Sequence, residues 1–428
     1  MPLLNVGTDQ TNLIHLIQEY SLTFKRTHPT PSIAKDCFNQ LNLLVNTQWD
    51  GCDEPTKTKV LQVQLTLTAV IVGSGKSSLI AKTYKKLSLF WKSIGIENYV
   101  KILSKLTINY DPSFVIHLII TWDFVIRFCV EKKNSEIIVK NKQVLNDIFL
   151  KNVVGSKNKL SSDIISLGLK YFLKQIDHDD FSKSVLPALQ KALLRNPEII
   201  FNLTPNILKG LSLDLSPYAL DLGKLFATNL YSKDDSLRAD AILATRNLAE
   251  QCSNSAAIQS LIDHYFAVLN GSEGKLTVAI QRFGVLSGIG ALSYHSANGE
   301  AQYLSEAACR KFVGALKQEV HEGTILHATS QLQLWCSRLT NEIPSIFIEW
   351  FKSLPNIKTT NSVIKSSYLL CLTAAFKSNM VEQIGEIFPL LLTSAQKSFQ
   401  ATVSQLPLLT EGLYSTNLIL KLCSLDKQ

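Results

Sequence analysis

Apolar residues recur along the chain at helical spacing, in blocks of about 12 to 20 residues separated by short polar breaks. This is the pattern of amphipathic helices joined by short loops. It predicts about twenty helices, and no two runs read convincingly as a pair of strands. Even the stretch LQVQLTLTAV, 61–70, lies midway in a block from Pro55 that fits one helix. Several breaks carry helix-start chemistry. Asp111–Pro112, Asn196–Pro197 and Ser216–Pro217 each set a capping residue before a proline suited to a first turn.

Helices repeating about every 20 residues make pairs about every 40, the period of HEAT and armadillo arrays. The expected fold is all-α, an α-solenoid of roughly ten HEAT- or armadillo-like helix pairs. The clearest repeat is DDSLRADAILATRNLA, 234–249. Asp234 and Arg238 are four apart on one turn, and Ala241, Ala244 and Leu248 follow on one face. The combination resembles the second-helix signature of a HEAT repeat, in which small alanines permit close packing and the Asp and Arg form a polar ladder with neighbours. Other blocks share spacing without identity, as repeats that touch only their neighbours can.

Length agrees with an array, because 428 residues exceed what one core usually holds. With 46% hydrophobic residues, 13 Pro and 19 Gly, neither disorder nor a turn-rich all-β fold is favoured. The eight cysteines form no C-x-x-C, which argues against the usual zinc arrays and for reduced thiols in the cytosol. The first twenty residues lack the basic start and cleavage site of a signal peptide. The most apolar region, FVIHLIITWDFVIRFCV, is interrupted by His117, Asp123 and Arg127 and suits a buried helix rather than a membrane span.

Charge changes the picture more. Residues 1–160 hold 20 Lys and Arg against 12 Asp and Glu, and the remaining residues 23 against 23, so the whole +8 excess sits in the first part. That division gives two provisional regions: basic helical repeats over 1–160, and a HEAT-like array over 161–428 continuing the same solenoid. A basic region points to an acidic partner such as RNA or an anionic protein face. The candidate contact residues are Lys82, Lys85, Lys86 and Lys92, then Lys132, Lys133, Lys140 and Lys142, then Lys151, Lys157 and Lys159. Phosphate-contacting lysines would bind with strong salt dependence and little sequence choice.

Other chemistry is weaker. IVGSGKSSLI, 71–80, imitates a phosphate-binding loop with Gly75, Lys76 and Ser77. The position of its first glycine is Val70, and HLIITWD, 117–123, could only pose as the strand ending in a Mg²⁺-holding Asp. An interhelix turn is the simpler reading, and a nucleotide hydrolase the least favoured function. Asp177, His178, Asp179 and Asp180 are adjacent and point apart, so they read as a helix-entry cap rather than a metal site. His321 and His327 miss the zinc-protease spacing and read as helix-flanking residues, and Cys309 and Cys336 as buried packing. NGSEGKL, 270–276, reads as a turn. No metal, cofactor or catalytic residue is assigned.

Longer stretches carry a family resemblance: LPALQKALLRNPEIIF, LDLSPYALDLGK, ILATRNLAEQCS, VLNGSEGKLTVAIQRFGVLSGIGALS, QEVHEGTILHA, LQLWCSRLTNEIP and EWFKSL. Together, over about residues 161–412, they resemble the N-terminal part of the general amino-acid control translational activators. These are giant HEAT-repeat activators of the kinase that phosphorylates the alpha subunit of translation initiation factor two. The resemblance implies a non-catalytic, cytoplasmic scaffold bound to ribosomes, including stalled and collided ones, and working with an ABC-type ATPase and the starvation kinase. The family regions that engage the ATPase and the kinase lie outside the matching stretch, so no residue here inherits those roles. The last stretch, NLILKLCSLDKQ, stops inside a helical pattern, as in a fragment, a short isoform or an incomplete gene model. A HEAT adaptor of another class, such as a transport receptor, is the alternative.

Overall fold

The structure is a computed structural model. It describes residues 13, 15–20, 30–110, 115–157, 160, 162–297, 299–317, 319–345, 348–349, 352 and 362–425. The described residues form helices and loops, with no strand among them. Packing separates two compact units, Met1–Ser212 and Leu213–Gln428. Charge therefore changes at 160 and packing at 212.

The first unit holds α1 (Pro31–Gln48), α2 (Glu54–Gly73), α3 (Ser77–Ile94), α4 (Ile96–Ile108), α5 (Val115–Glu131) and α6 (Glu136–Phe149). Shorter pieces follow: α7 (Ser162–Gly168), α8 (Lys170–Leu173), α9 (Leu186–Arg195), α10 (Pro197–Ile200) and α11 (Thr204–Gly210). Helix α2 packs on α5, and α5 on α7 and α8, which adjoin α11. Beside that row run α1, α3, α4 and α6. Two π-helical turns, Leu150–Val154 and Phe181–Val185, interrupt the regularity.

Helix α2 shows why the alternating stretch 61–70 is not a strand. Asp53 caps it by accepting from the Thr56 amide at 2.9 Å, and Pro55 sits in the first turn. Buried on more than one side, with Val60, Leu61, Val63, Leu65 and Leu67 all enclosed, it needs no single apolar stripe. Its C-terminal turn is the phosphate-loop look-alike. Gly75, at φ +67°, reverses the chain and Ser77 opens α3, so the Gly-Lys-Ser run is an interhelix turn. His117–Asp123 lies inside helix α5.

The second unit is more regular: α12 (Ala219–Leu230), α13 (Asp235–Glu250), α14 (Ser255–Leu269), α15 (Ala279–Ala291), α16 (Ala301–Leu316), α17 (Glu322–Cys336), α18 (Ser362–Ala375), α19 (Val381–Gly385), α20 (Phe388–Ser398) and α21 (Leu406–Leu425). Alternate helices form two layers. One runs α13, α15, α17, α18, α21, and the other α12, α14, α16, each helix packing on the next in its layer. This is α-solenoid packing. Hydrogen bonds between successive repeats show the period: Tyr265 Oη donates to the Gly223 carbonyl at 3.2 Å and Trp335 Nε1 to that of Ile289 at 3.1 Å, 42 and 46 residues apart.

The HEAT signature helix is α13. Ala241, Ala244 and Leu248 are fully buried, as the close-packing argument requires. The two polar positions each take their own partners. The Asp234 side chain caps the helix, accepting from the Leu237 amide at 2.8 Å, while its carbonyl accepts from the Arg238 amide at 3.1 Å. Arg238 instead pairs with Asp235 and donates to the Ser232 carbonyl at 2.8 Å. Four residues is one turn, but a capping carboxylate points back at the free amides and cannot also reach forward.

Two proline-linked caps also differ in detail. Pro197 opens α10, yet the Asn196 side chain makes no capping bond. Before Pro217 no side chain caps the turn; instead Asp214 ties the loop, accepting from the amide and hydroxyl of Ser216 at 3.0 and 2.6 Å and from those of Ser253 at 3.1 and 2.5 Å. Burial pushes its carboxyl up, but these four donors outweigh that and hold it at about 2. Asp111 and Pro112 lie outside the described residues.

Candidate interaction surface

Helix α3 buries Tyr84, Leu87, Phe90, Trp91 and Ile94, which leaves Lys82, Lys85, Lys86 and Lys92 exposed. Across from it stands α1. Lys86 Nζ donates to Asn39 Oδ1. The two helices enclose a groove of about 310 Å³ to which Lys35, Asn39, Lys82, Lys85, Lys86 and Leu89 contribute. Sequence spacing groups the three α3 lysines; Lys35 joins them only through folding, about 50 residues away in sequence.

Lys132 and Lys133 occupy the turn between α5 and α6, and Lys133 takes φ +55° to make it. The turn lies close to α3, because Glu131 accepts from both Tyr84 Oη and Arg127 Nε, the latter at 3.0 Å. Arg127 also stacks on the Tyr84 ring, its Cζ 3.7 Å from the centroid. The structure thus places Lys132–Lys133 beside α3 on its Tyr84 side, away from the groove that Lys82, Lys85 and Lys86 line.

The remaining candidates divide. Lys140 pairs with Glu136 at 2.5 Å, and Lys142 with Asp177 and Asp180, each at 2.6 Å. Lys142 is thereby held between two carboxylates, whereas the Lys140 pair is a solvent-exposed contact one turn apart on α6. Lys151 is exposed near the Tyr110 ring, and Lys157 is exposed in the following loop. Lys159 lies outside the described residues. Lys82, Lys85, Lys92, Lys132, Lys133, Lys151 and Lys157 make no ion pair among the described residues.

The other sequence candidates are structural. Asp177 and Asp180 form a reciprocal capping box, and the Lys142 ammonium holds the Asp177 carboxyl at about 2. His321 caps α17, its Nδ1 accepting from the Thr324 amide at 3.1 Å. His327 lies within α17 rather than beside it, stacked on Phe283 at 4.8 Å and bonded to Ser287 at 2.8 Å. Cys309 and Cys336 place their sulfurs 3.9 Å apart in the core, and their mutual contact and burial raise the Cys309 thiol well above its ordinary range. Among the described residues no His, Cys, Asp or Glu group is arranged to hold a metal, and no helix is long and apolar enough to cross a membrane.

Asp123 is a buried site that the sequence reading missed. Its carboxylate lies 1% exposed and accepts from the amides of Tyr171 and Phe172 at 2.6 and 2.7 Å, so α5 caps α8 from inside the core. Burial raises it to about 7, against the pull of those two amides.

A family model described as the N-terminal region of the stalled ribosome sensor GCN1 matches residues 142–276. The human protein named "Stalled ribosome sensor GCN1" is 36% identical over 426 residues, 97% of this chain and 16% of the human one. The chain belongs to the GCN1 family. It spans about a sixth of the length of the mammalian relatives it matches. The Arabidopsis thaliana protein ILITYHIA is 25% identical over 288 residues, 67% of this chain and 10% of that protein. Among solved structures, Kap121p bound to Nup53p aligns with 99% of this chain and 44% of its own, at a TM-score of 0.43 and 13% identity. The GCN1-family match spans both the basic first part and the neutral remainder.

Proposed function

We propose that this chain is a ribosome-contacting arm of a GCN1-type sensor, cytoplasmic and acting by binding rather than by catalysis. The observation that carries the reading is the uncompensated charge of the first unit. The +8 excess lies wholly in residues 1–160, and there Lys92, Lys132, Lys133, Lys151 and Lys157 are exposed without a carboxylate partner among the described residues. Ribosomal RNA and acidic ribosomal proteins are the partners that such a surface attracts. The rigid stack of helices behind it fixes the positions of those cations, so that binding sets geometry. Any service to the starvation kinase or to an ABC-type ATPase would follow from that placement, and no residue of this chain is proposed to touch either.

Co-sedimentation with ribosomes across a salt series tests the reading. A variant with Lys92, Lys132, Lys133, Lys151 and Lys157 changed to Glu should lose sedimentation by at least ~100-fold and flatten the salt slope. A control with exposed second-unit lysines changed to Glu (Lys224, Lys233, Lys275 and Lys317) should sediment as the unaltered chain does. Equal losses in both would reduce the effect to net charge. Absence of binding by the unaltered chain at low salt would refute the proposal.

A further inference from the structure

The groove between α1 and α3 differs in chemistry from the rest of the basic surface. Its lysines stand beside apolar wall, for Leu79 and Leu89 line it and Leu89 is 54% exposed. The paired residues rise together in number: Lys86 meets Asn39, and the Phe90 ring meets Trp49 at 5.4 Å. The two helices therefore run parallel. On α1 the row Lys35, Asn39, Leu43 recurs every four residues, and on α3 the row Lys82, Lys86, Leu89 follows the same face. Both rows pass from lysine at the N-terminal end to exposed leucine at the other, Leu43 being 62% exposed. Among the described residues no carboxylate lines the groove.

We propose that this groove docks a short acidic segment of a partner protein that carries leucine-like side chains. Its carboxylates would meet Lys35, Lys82 and Lys85, and its apolar side chain would cover Leu89. Helical furrows with spaced apolar anchors take peptides in this manner, with charge complementarity setting orientation. Nucleic acid fits less well. No aromatic ring lines the groove, and Phe90, one turn on from Lys86, is fully buried beneath it, so bases would find no stacking platform. A second copy of the chain is disfavoured by its own charge of +8.

The test is fluorescence anisotropy on the whole chain with three probes: a short labelled Asp/Glu peptide with two leucines one helical turn apart, the same peptide with serines for leucines, and an oligoadenylate of equal charge. The leucine peptide should bind, and the serine peptide at least ~10-fold more weakly, as expected for one buried leucine. Leu89→Asp should erase that difference. Lys82→Glu with Lys85→Glu should weaken the leucine peptide by at least ~10-fold, and Lys132→Glu with Lys133→Glu by less than ~2-fold. All five positions are exposed, and unchanged helical circular dichroism will confirm folding. Equal binding of the two peptides, tighter binding of the oligoadenylate, or no binding of the leucine peptide would each overturn the proposal. No ribosome is present in this assay, so its failure would leave the ribosome reading standing, and loss of ribosome binding would leave this one.

Discussion

In the second unit two successive repeats carry the same bond. Arg238 on α13 and Arg282 on α15 lie 44 residues apart, and each donates through Nη1 to the carbonyl six residues before it, at 2.8 and 3.0 Å. Arg282 reaches on to Thr324 and Glu319 in the next repeat. The first unit shows no recurring bond of that kind among the described residues. A run of rings joins its helices instead: Trp49 against Phe90, Phe90 and Trp91 against Tyr99, and Trp91 against Phe128, with centroids 5.4 to 6.1 Å apart. Ring contacts bury large apolar areas and need no matching register between the helices they join, whereas the arginine bond recurs at the same offset in each repeat. The unit with irregular helices is also the one with unspent positive charge. Its surface is not held to a repeat, and it is where both proposed docking sites lie.

The contrast extends to acid and base. Asp123 is a buried carboxyl raised to about 7 in the first unit, and His295 a buried imidazole lowered to about 4 in the second, by burial first and then by Arg338. Their signs oppose. The folded first unit holds a proton on Asp123 that the unfolded chain releases near pH 4, so stability falls as pH rises from about 4 to about 7. The loss should amount to about 4 kcal/mol. Asp123→Asn keeps an acceptor for the two amides and should remove it. In urea titrations the variant should gain on the unaltered chain steadily over that window, and a constant difference would show that the carboxyl is charged when buried. His295 works in reverse. The unfolded chain takes its proton near pH 6.5, and the folded one only near 4, so stability falls as pH drops between them, by about 3 kcal/mol. His295→Phe keeps a ring beside Trp335, whose centroid is 5.9 Å away, and should flatten the acid side alone. A shared, same-signed response in both variants would break the comparison.

These differences explain what the sequence disclosed. The solenoid was legible because amphipathic period and break spacing are local, and α13 showed its repeat through two alanines and a leucine on one face. Asp123 was not legible, because its partners are amides 48 and 49 residues away and a backbone donor leaves no mark in a sequence. Lys35 joined the candidate surface only when α1 and α3 stood side by side. Lys140 and Lys142 looked the same as Lys132 and Lys133 in a row of letters. The carboxylates that occupy them come from the same helix in one case and from the Asp177 turn in the other. Charge counts predict the sign of a surface, and packing decides which cations are still free to bind.

The smallest effects test regularity itself, on two glycines of the second unit. A Cβ at Gly284 would fall 1.8 Å from the Leu230 carbonyl oxygen and 2.9 Å from Arg238 Cδ. The end of α12 is backbone and cannot swing aside, so Gly284→Ala must push α15 away and strain the Arg238 bond that the repeats share. The expected loss is about 2 kcal/mol, within the usual range for overpacking. Gly314, on the exposed side of α16, has nothing within 4 Å of its added Cβ. There Gly314→Ala should stabilise by about 0.5–1 kcal/mol, because alanine has less backbone freedom to lose in a helix. Thermal melts of the two variants separate the causes. If both alanines stabilise, helix propensity governs the unit and the close approach at Leu230 is relaxed at no cost. If Gly284→Ala alone destabilises, the spacing of α12 and α15 is fixed by contact, and the recurring arginine bond depends on a glycine opposite it.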